Sequence, residues 1–246
     1  MSDEDDADRA THGEINEISD FSSDSDSEEP PQKVQKRDPR QDQIQEALGK
    51  ADFTKKYEDY VVEYTRPGEG RDEIVTQIVD TVEANMKHYY DLPNINEEYG
   101  WVWDKEELRR FTSDPSSRFL LCFPNTENEE EKEEKKLLMG FSVVRFETED
   151  LEEEEDGWCI YIYDIHATAA GQHRGIGSTL IKALEDLVVS FEGASMLRLT
   201  CFLDNKNAMS FYRRHGFVPD PDSPSPLVYK DVPHAILRKV IKKGEV

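Results

Sequence analysis

The segment with the clearest chemical potential is Gln172-His173-Arg174-Gly175-Ile176-Gly177. It follows an apolar, aromatic run at residues 158–165 and precedes a helical pattern at residues 178–189. Glycines in a tight turn let the backbone approach a ligand, and the first N–H groups of a helix have no partner within it. The segment therefore predicts a cradle for an anion such as a phosphate group. A plain strand-turn-helix connection is the alternative, because a short glycine pattern alone is weakly specific.

A second motif follows a predicted strand at residues 196–203. It contains Asn205, Ala208, Phe211, Tyr212, Gly216 and Phe217. A small residue allows close approach to a bound group, and a glycine after a helix ends it. We expect Gly216 to end this helix so that Phe217 returns to the sheet.

The composition limits the classes of partner. The 246 residues carry a formal net charge of −24, which disfavours direct contact with nucleic acid and favours basic protein tails, polyamines or histones. Cys122, Cys159 and Cys201 lie in apolar runs, so we expect reduced thiols and a cytoplasmic or nuclear location. No apolar run approaches about 18 residues, so we expect no membrane span. Zinc-ligand spacing is missing, so we expect no metal. The sequence also has no Gly-x-Ser-x-Gly elbow of a serine hydrolase.

The chain divides into a tail and one predicted domain. Residues 1–39 are acidic and serine-rich, with a basic patch at residues 33–40, and we expect a disordered tail and linker. The tail could attract basic partners or simply keep the chain soluble. Residues 40–246 hold the periodic patterns and are predicted to form the domain.

The predicted elements of this domain place the two motifs side by side. Helices are expected at residues 41–50, 71–91, 104–111 and 175–190, and strands at 60–64, 117–123, 137–146, 158–168 and 196–203. The stripe Ile74, Ile78, Val82 and Met86 is predicted to be the buried face of the second helix. Residues 94–103 read as an aromatic loop, and the acidic stretches 125–136 and 148–157 as solvated loops.

Together, the two motifs resemble those of the GNAT acetyltransferases, whose coenzyme A loop reads Gln/Arg-x-x-Gly-x-Gly/Ala and whose late segment reads Asn-x-x-Ala-x-x-Phe-Tyr-x-x-x-Gly-Phe. The resemblance implies an α/β (α+β) fold with a mixed, largely antiparallel central sheet, flanked by helices and splayed where acetyl-CoA binds. Phe211 and Tyr212 would pack on the adenosine-pantetheine arm. The implied contacts with acetyl-CoA are of three kinds. They are the backbone of Ile165, His166, Ala167 and Thr168, the cradle residues Arg174, Gly175, Ile176, Gly177, Ser178 and Thr179, and the late-motif residues Asn205 and Tyr212.

Further segments resemble NatD, the GNAT branch that acetylates the α-amino group of histone tails beginning Ser-Gly-Arg-Gly. They are Asn85-Met86-Lys87-His88-Tyr89-Tyr90, Trp101-Val102-Trp103-Asp104-Lys105, Tyr161-Ile162-Tyr163-Asp164 and Asp222-Ser223-Pro224-Ser225. The resemblance covers roughly residues 40–240 and leaves the acidic tail unmatched. It implies a monomer that meets basic histone tails of chromatin, or nascent chains at the ribosome, in cytoplasm and nucleus.

The NatD resemblance also implies catalytic roles. Asp164, expected at the end of the strand before the glycine segment, takes the place of the general base. The family carries Glu there, and the shorter Asp favours proton transfer through a water. Tyr90 matches a tyrosine that lines the amine site, and Tyr161 and Tyr163 alternate onto one strand face beside it. Tyr212 is a candidate acid for the leaving thiolate. A turn acid and core aromatics are the alternative uses of these residues.

The implied peptide contacts come from several elements. Trp101 would form an aromatic wall, Glu147 and Glu149 would hold the substrate's arginine and amine, and Tyr161 and Thr200 would flank the peptide. The family has a tyrosine on its last strand that covers the peptide. Here that position holds His234, with Tyr229 five residues earlier, so either side chain could take the role.

Two other functions stay open on the sequence. One is a GNAT enzyme that acetylates lysine side chains or polyamines. The other is a non-catalytic, acidic histone-binding module with the same fold, which the presence of Gly175, Gly177 and Asn205 argues against.

Overall fold

The structure, a computed structural model, describes residues 39–50, 52–68, 70–125, 137–148, 157–224 and 232–242. The predicted tail up to residue 38, Glu149, Ser225 and Tyr229 therefore lie outside the described residues. The helices and strands are α1 (Pro39–Gly49), β1 (Phe53–Tyr57), β2 (Tyr60–Thr65), α2 (Asp72–Tyr90), α3 (Pro93–Asn96), α4 (Lys105–Ser113), β3 (Arg118–Pro124), β4 (Gly140–Glu147), β5 (Trp158–Ala167), α5 (Ile176–Ser190), β6 (Ala194–Phe202), α6 (Lys206–Arg214), β7 (Val218–Pro219) and β8 (His234–Val240).

One sheet of eight strands organises the described residues, in the order β1-β2-β3-β4-β5-β6-β8-β7. Neighbouring strands run antiparallel except β5 and β6, which are parallel. Parallel neighbours need a crossover connection, and α5 supplies it. The predicted mixed, largely antiparallel sheet flanked by helices is confirmed.

The parallel strands β5 and β6 pair over only part of their length. Their register runs from Trp158 opposite Ala194 to Ile162 opposite Leu199, although both strands continue beyond it. Past Ile162, β5 stays paired with β4, and β6 stays paired with β8. The two strands therefore diverge, and this divergence is the splay that the sequence predicts.

A β-bulge lies at the start of the splay. On β4, Val143 faces Asp164 and Val144 faces Ile162, so Tyr163 is an extra residue of β5 without a counterpart. Asp164 was expected at the end of its strand. That expectation is wrong, because β5 continues three residues further through its pairing with β4.

Two apolar clusters hold helices on the sheet. One lies under α5 and includes Trp158 and Phe191, while the other lies under α2 and α4 and includes Phe119 and Phe141. No helix among the described residues has the length and apolar character to cross a bilayer.

The predicted stripe on α2 is partly wrong. Its fully buried residues are Val75, Ile78, Val79 and Val82, whereas Ile74 and Met86 are only partly buried. A helix has 3.6 residues per turn, so a strict spacing of four drifts off the buried face.

The sequence analysis does not predict strand β1. Its residues Thr54, Lys55 and Lys56 are exposed, so it shows no apolar alternation. It forms because a turn at residues 58–59 folds it onto β2, and lysines on such an edge strand discourage pairing with other chains. The short helix α3 is not predicted either, and it overlaps the start of the predicted aromatic loop.

Candidate active site

The connection from β5 to α5 contains two left-handed backbone positions. His173 has a φ of 60°, and Gly175, at 77°, is the N-cap of α5 without a side-chain cap. The first helical hydrogen bond of α5 runs from the Thr179 N–H to the Gly175 carbonyl. The N–H groups of residues 176–178 therefore have no acceptor within the helix. At the positive end of the helix dipole, they form an anion site.

Two other glycines serve packing. A Cβ on Gly171 would lie 1.9 Å from the Met139 carbonyl oxygen, and one on Gly177 would lie 3.0 Å from the Phe211 ring. The sequence suggests that Gly177 lets the loop approach its ligand. In the structure it also lets α5 pack against α6, which explains why the two motifs share this site.

A cavity of about 1440 Å³ opens where β5 and β6 diverge. Its walls come from α2, the segment before α4, α4 itself, β5, β6 and α6. The predicted site residues in its walls are Tyr90, Trp101, Tyr161, Tyr163, Asp164, Ile165, His166, Ala167, Thr200, Asn205 and Tyr212. Small-ligand pockets span about 300–1000 Å³, so this cavity is large enough for two substrates.

The bulge directs two consecutive side chains of β5 into this cavity. The Tyr163 ring lies 4.4 Å from the Phe111 ring of α4, while the next residue, Asp164, contacts His166 on that same face. Ile165, which also lines the cavity, packs against the core under α5. Strict alternation would put Tyr163 and Asp164 on opposite faces, so the extra residue is what brings both to the cavity.

A polar chain connects α2 to the Asp164 carboxylate. The Asn85 Nδ2 atom lies 3.3 Å from His166 Nδ1, and His166 Nε2 lies 3.3 Å from Asp164 Oδ1. The side chains of Asp164 and His166 are each 12% exposed. The sequence analysis assigned only the backbone of His166 to the site, and it named Asn85 as part of a NatD-like segment without giving its side chain a role.

Two tyrosine hydroxyls bridge the strands around the splay. Tyr161 Oη lies 2.6 Å from Thr200 Oγ1 across the gap between β5 and β6. Tyr163 donates to Glu147 Oε1 at the end of β4, and the two tyrosine rings are 4.9 Å apart. Burial and the Glu147 carboxylate raise the pKa of Tyr163, so it stays protonated.

Aromatic side chains close the opposite end of the cavity. The Trp101 ring lies 4.8 Å from His234 of β8 and 6.0 Å from Phe202. The Tyr90 ring makes an edge contact with Phe202 at 5.2 Å. Burial raises the pKa of Tyr90, and the carboxylate of Asp164 raises it further.

Residues 86–217 match the Acetyltransferase (GNAT) family. The chain belongs to the GNAT family of acetyltransferases. The structure of Arabidopsis thaliana NAA60 in complex with a bisubstrate analogue is similar, with a TM-score of 0.50 at 12% identity over 74% of this chain and 99% of that chain. An acetyltransferase of the GNAT family from Listeria monocytogenes gives a TM-score of 0.49 at 17% identity over 78% and 100%. At these identities, the likeness concerns the fold.

GNAT acetyltransferases use acetyl-CoA, and this site fits it. The N–H groups of residues 176–178 suit a diphosphate, and the same cavity that holds Asp164 is lined by Tyr212 and Ala208. Burial raises the pKa of Tyr212, followed by smaller contributions from Cys201 and Asp164. Tyr212 therefore keeps its proton near neutral pH. Phe211, in contrast, packs on Gly177 rather than in the cavity wall.

Asn205 acts locally as a helix cap. Its side-chain oxygen accepts a hydrogen bond from the Ala208 N–H at 3.1 Å at the start of α6. Its amide NH₂ group is left for the cavity that it lines. The sequence analysis assigned it only to acetyl-CoA, and the structure adds this local role.

A thiol also lines the cavity. Burial raises the pKa of Cys201 to about 12, so it is not a thiolate near neutral pH and is unsuited to carry an acetyl group. Among the described residues, no group of three or more His, Cys, Asp or Glu side chains is placed to hold a metal ion.

The remaining described site residues do not line the cavity themselves. The glycine-loop residues lie in the adjoining connection and the first turn of α5: Thr168, Arg174, Gly175, Ile176, Gly177, Ser178 and Thr179. Glu147 and His234 reach the cavity walls through Tyr163 and Trp101. A signal for the side-chain role of Asn85 exists in the sequence, because it is a polar residue three positions after Val82 on the buried face of α2.

Proposed function

We propose that this GNAT acetyltransferase transfers the acetyl group of acetyl-CoA to the α-amino group of basic polypeptide tails, in particular histone tails beginning Ser-Gly-Arg-Gly. One observation carries the proposal: Asp164 lines a large cavity at the splay together with aromatic and acidic side chains, and Gln172 of the glycine segment lines the same cavity. The proposal includes an encounter with histones in cytoplasm or nucleus by a monomeric enzyme.

Asp164 is assigned as the proton acceptor. A free α-amino group has a pKa of about 8, so it is mostly charged near neutral pH and must lose a proton before it attacks. Asp164 takes that proton through one water, because its side chain is short and leaves room in the cavity. Tyr90 stays protonated and can donate a hydrogen bond to that water. Tyr163 donates its one O–H to Glu147, so its oxygen can accept a hydrogen bond from the water.

Tyr212 is assigned to the leaving group. Acetyl-CoA supplies a thioester whose carbon–sulfur bond breaks as the carbon–nitrogen bond forms. The protonated Tyr212 phenol gives its proton to the sulfur. Asp164 holds the first proton from the amine, and the second proton, which the nitrogen loses as the amide forms, returns Tyr212 to its phenol form, so atoms and charges balance. The high pKa of Cys201 favours this direct transfer over one through an acetylated cysteine.

The charge of the cavity suits a cationic substrate. Its walls include the carboxylates of Glu83, Asp104, Glu106 and Glu107 in addition to Asp164. The one lysine among the described wall residues, Lys105, already pairs with Asp80 and Glu83. A basic peptide is therefore attracted and an acidic one repelled. Glu147, beside Tyr163, is assigned to the substrate's arginine, together with Glu149 as predicted from the sequence.

The aromatic end of the cavity supports a chain terminus as the substrate. Contacts of Trp101 with His234 and Phe202 join the segment before α4 to β8 across the end of β6. A polypeptide terminus leaves the site in one direction, whereas a modified lysine has chain leading away in two. The wall formed by these contacts favours the terminus.

The test is an acetylation assay with a Ser-Gly-Arg-Gly peptide, followed by mass spectrometry that locates the acetyl group. We expect the group on the α-nitrogen. The matched control is the same peptide, extended by one lysine, with its N-terminus blocked. Modification of the blocked peptide would identify a lysine acetyltransferase instead.

Two further substrates complete the assay. A Ser-Gly-Glu-Gly peptide should be acetylated at least about tenfold less efficiently, because it reverses the charge opposite the acidic walls. Spermine, a polyamine, should not be acetylated. Absence of α-acetyl product from a folded enzyme that binds coenzyme A would refute the proposed substrate class.

A further inference from the structure

Each hydrogen bond in the chain from α2 to Asp164 has a defined donor and a defined acceptor. The Asn85 amide nitrogen can only donate, so with the amide assigned as it stands, His166 Nδ1 accepts from it. His166 then carries its proton on Nε2 and donates it to Asp164 Oδ1. The imidazole in this arrangement is neutral, and one of its nitrogens faces each partner.

His166 is poorly suited to take the proton of the amine itself. Both of its ring nitrogens are within hydrogen-bonding distance of side chains, Asn85 on one side and Asp164 on the other. The ring also lies 5.7 Å from the Phe141 ring of the buried cluster under α2. A fixed ring with both nitrogens engaged can orient a neighbour, but it has no lone pair left for a substrate proton.

The backbone and side chain of Asp164 are held from two different elements. Ser142 Oγ of β4 donates to the Asp164 carbonyl at 2.9 Å, which fixes the backbone at the bulge. Among the described residues, His166 is the one that hydrogen-bonds the Asp164 carboxylate. One carboxylate oxygen is therefore engaged, and the other remains for the water that accepts the amine proton.

We propose that Asn85 and His166 are positioning residues that fix the rotamer of the Asp164 carboxylate for proton transfer. This inference rests on the proposed role of Asp164 as the proton acceptor. It assigns a function to the His166 side chain and to the polar residue on the buried face of α2. Displacing a reacting group by about 1 Å can cost about a hundredfold in rate, so a residue that only orients Asp164 can matter for catalysis.

The kinetic test compares two substitutions at one position. His166→Leu keeps much of the volume but removes the donor, and we expect kcat for the peptide to fall by about tenfold to a hundredfold. His166→Gln retains a donor and an acceptor, and should recover most of that loss. The KM for acetyl-CoA should stay within about twofold of the wild-type value in both variants, because the predicted contact of His166 with acetyl-CoA is through its backbone and the anion cradle is untouched.

These kinetics distinguish positioning from a merely structural role. Equal losses in His166→Leu and His166→Gln, or a kcat for His166→Leu within twofold of wild type, would overturn the proposal. Thermal unfolding of both variants shows whether each is folded at the assay temperature. Asn85→Leu removes the hydrogen bond to His166 but leaves the one between His166 and Asp164, so it should reduce kcat less than His166→Leu.

A second readout needs neither a substrate nor a variant. Long-range ¹H–¹⁵N correlation spectra of the full, labelled wild-type chain report which nitrogen of His166 carries the proton. We expect the Nε2-protonated neutral form, and a dominant Nδ1-protonated form would contradict the chain of hydrogen bonds. If the peptide is not a substrate, this spectrum still reports whether His166 Nε2 carries the proton that it donates to Asp164. Failure of the proposed function can therefore be distinguished from failure of the hydrogen-bond chain.

Discussion

The two sides of the cavity are built by different means. On the acetyl-CoA side, backbone N–H groups of residues 176–178 act through a glycine turn, and the loop is held by contacts such as the Tyr60 hydroxyl to the Arg174 carbonyl at 2.9 Å. On the acceptor side, side chains from α2, α4, β5, β6 and β8 meet around Asp164. The first side depends on chain geometry, and the second on the identity of single side chains.

This difference determines what a substitution should do. A backbone site tolerates side-chain changes but not changes of φ, because its ligands are N–H groups that every residue except proline has. A side-chain site loses function when one group is replaced, even by an isosteric one. Substitutions on the two sides should therefore affect different kinetic constants.

The largest effect is expected for Asp164→Asn on the acceptor side. The amide is isosteric but cannot accept the proton, and losing a general base typically costs about a hundredfold to ten-thousandfold. Steady-state kinetics with the peptide should show the loss in kcat, while calorimetry shows unchanged coenzyme A binding. The exposed Asp91→Asn at the end of α2 is the matched control. A loss of coenzyme A affinity in Asp164→Asn would break the separation between the two sides.

A smaller effect is expected on the acetyl-CoA side from Gly175→Val. A β-branched residue at a φ of 77° is strained, and left-handed backbone costs about 1–2 kcal/mol per residue. We expect coenzyme A affinity in calorimetry to fall by roughly tenfold, with a lower melting temperature. Arg174→Ala should change affinity by less than Gly175→Val, and the reverse order would show that this side also depends on a side chain. Gly49→Ala, at a position with open space and no positive φ, is the control.

Tyr212 contributes a side chain to the boundary between the two sides. A thiol has a pKa of about 8.5, so its thiolate leaves with little help, and Tyr212→Phe should lower kcat only about tenfold. Because burial raises the pKa of Tyr212, its protonated donor form persists above the usual pKa of about 10. Deprotonation of Tyr212 therefore should not cause a loss of activity below pH 10. The pH profile of kcat for the variant should keep the wild-type shape below pH 10. Disappearance of an alkaline limb there would contradict the raised pKa of Tyr212, and an unchanged kcat in Tyr212→Phe would contradict its assignment as the acid.

The same contrast explains how much the sequence could predict. The cradle and the end of α6 follow from local rules: Gly175 has a φ of 77° and Gly216 one of 82°, and Phe217 is buried against the sheet. The sequence likewise predicts the strands with apolar runs, the splayed sheet and the acetyltransferase family. Each depends on residues that are neighbours in the chain or on a motif whose spacing is fixed.

The geometry of the acceptor side could not be predicted from local sequence patterns, because it depends on residues that are far apart in the chain. The bulge at Tyr163 arises from the register of β4 against β5, and a strand pattern read alone does not contain its partner's register. The contact of Asn85 with His166 joins residues 81 positions apart. Likewise, Arg145 lies 3.6 Å over the Phe111 ring, and neither residue carries a local signal for that contact.

The substitution with the smallest expected effect lies at the boundary between the acetyl-CoA side and the acceptor side of the cavity. Thr200→Val is nearly isosteric but removes the hydroxyl that meets Tyr161 at 2.6 Å across the splay. Losing one such hydrogen bond typically costs about 1 kcal/mol, or roughly fivefold in an equilibrium constant. We expect this change in the KM for the peptide, with kcat and the KM for acetyl-CoA unchanged. Thr81→Val on α2, whose hydroxyl bonds only within its helix, is the matched control. A change in the KM for acetyl-CoA instead would assign Thr200 to the acetyl-CoA side. The boundary between the two sides of the cavity would then lie between β6 and the rest of the acceptor side.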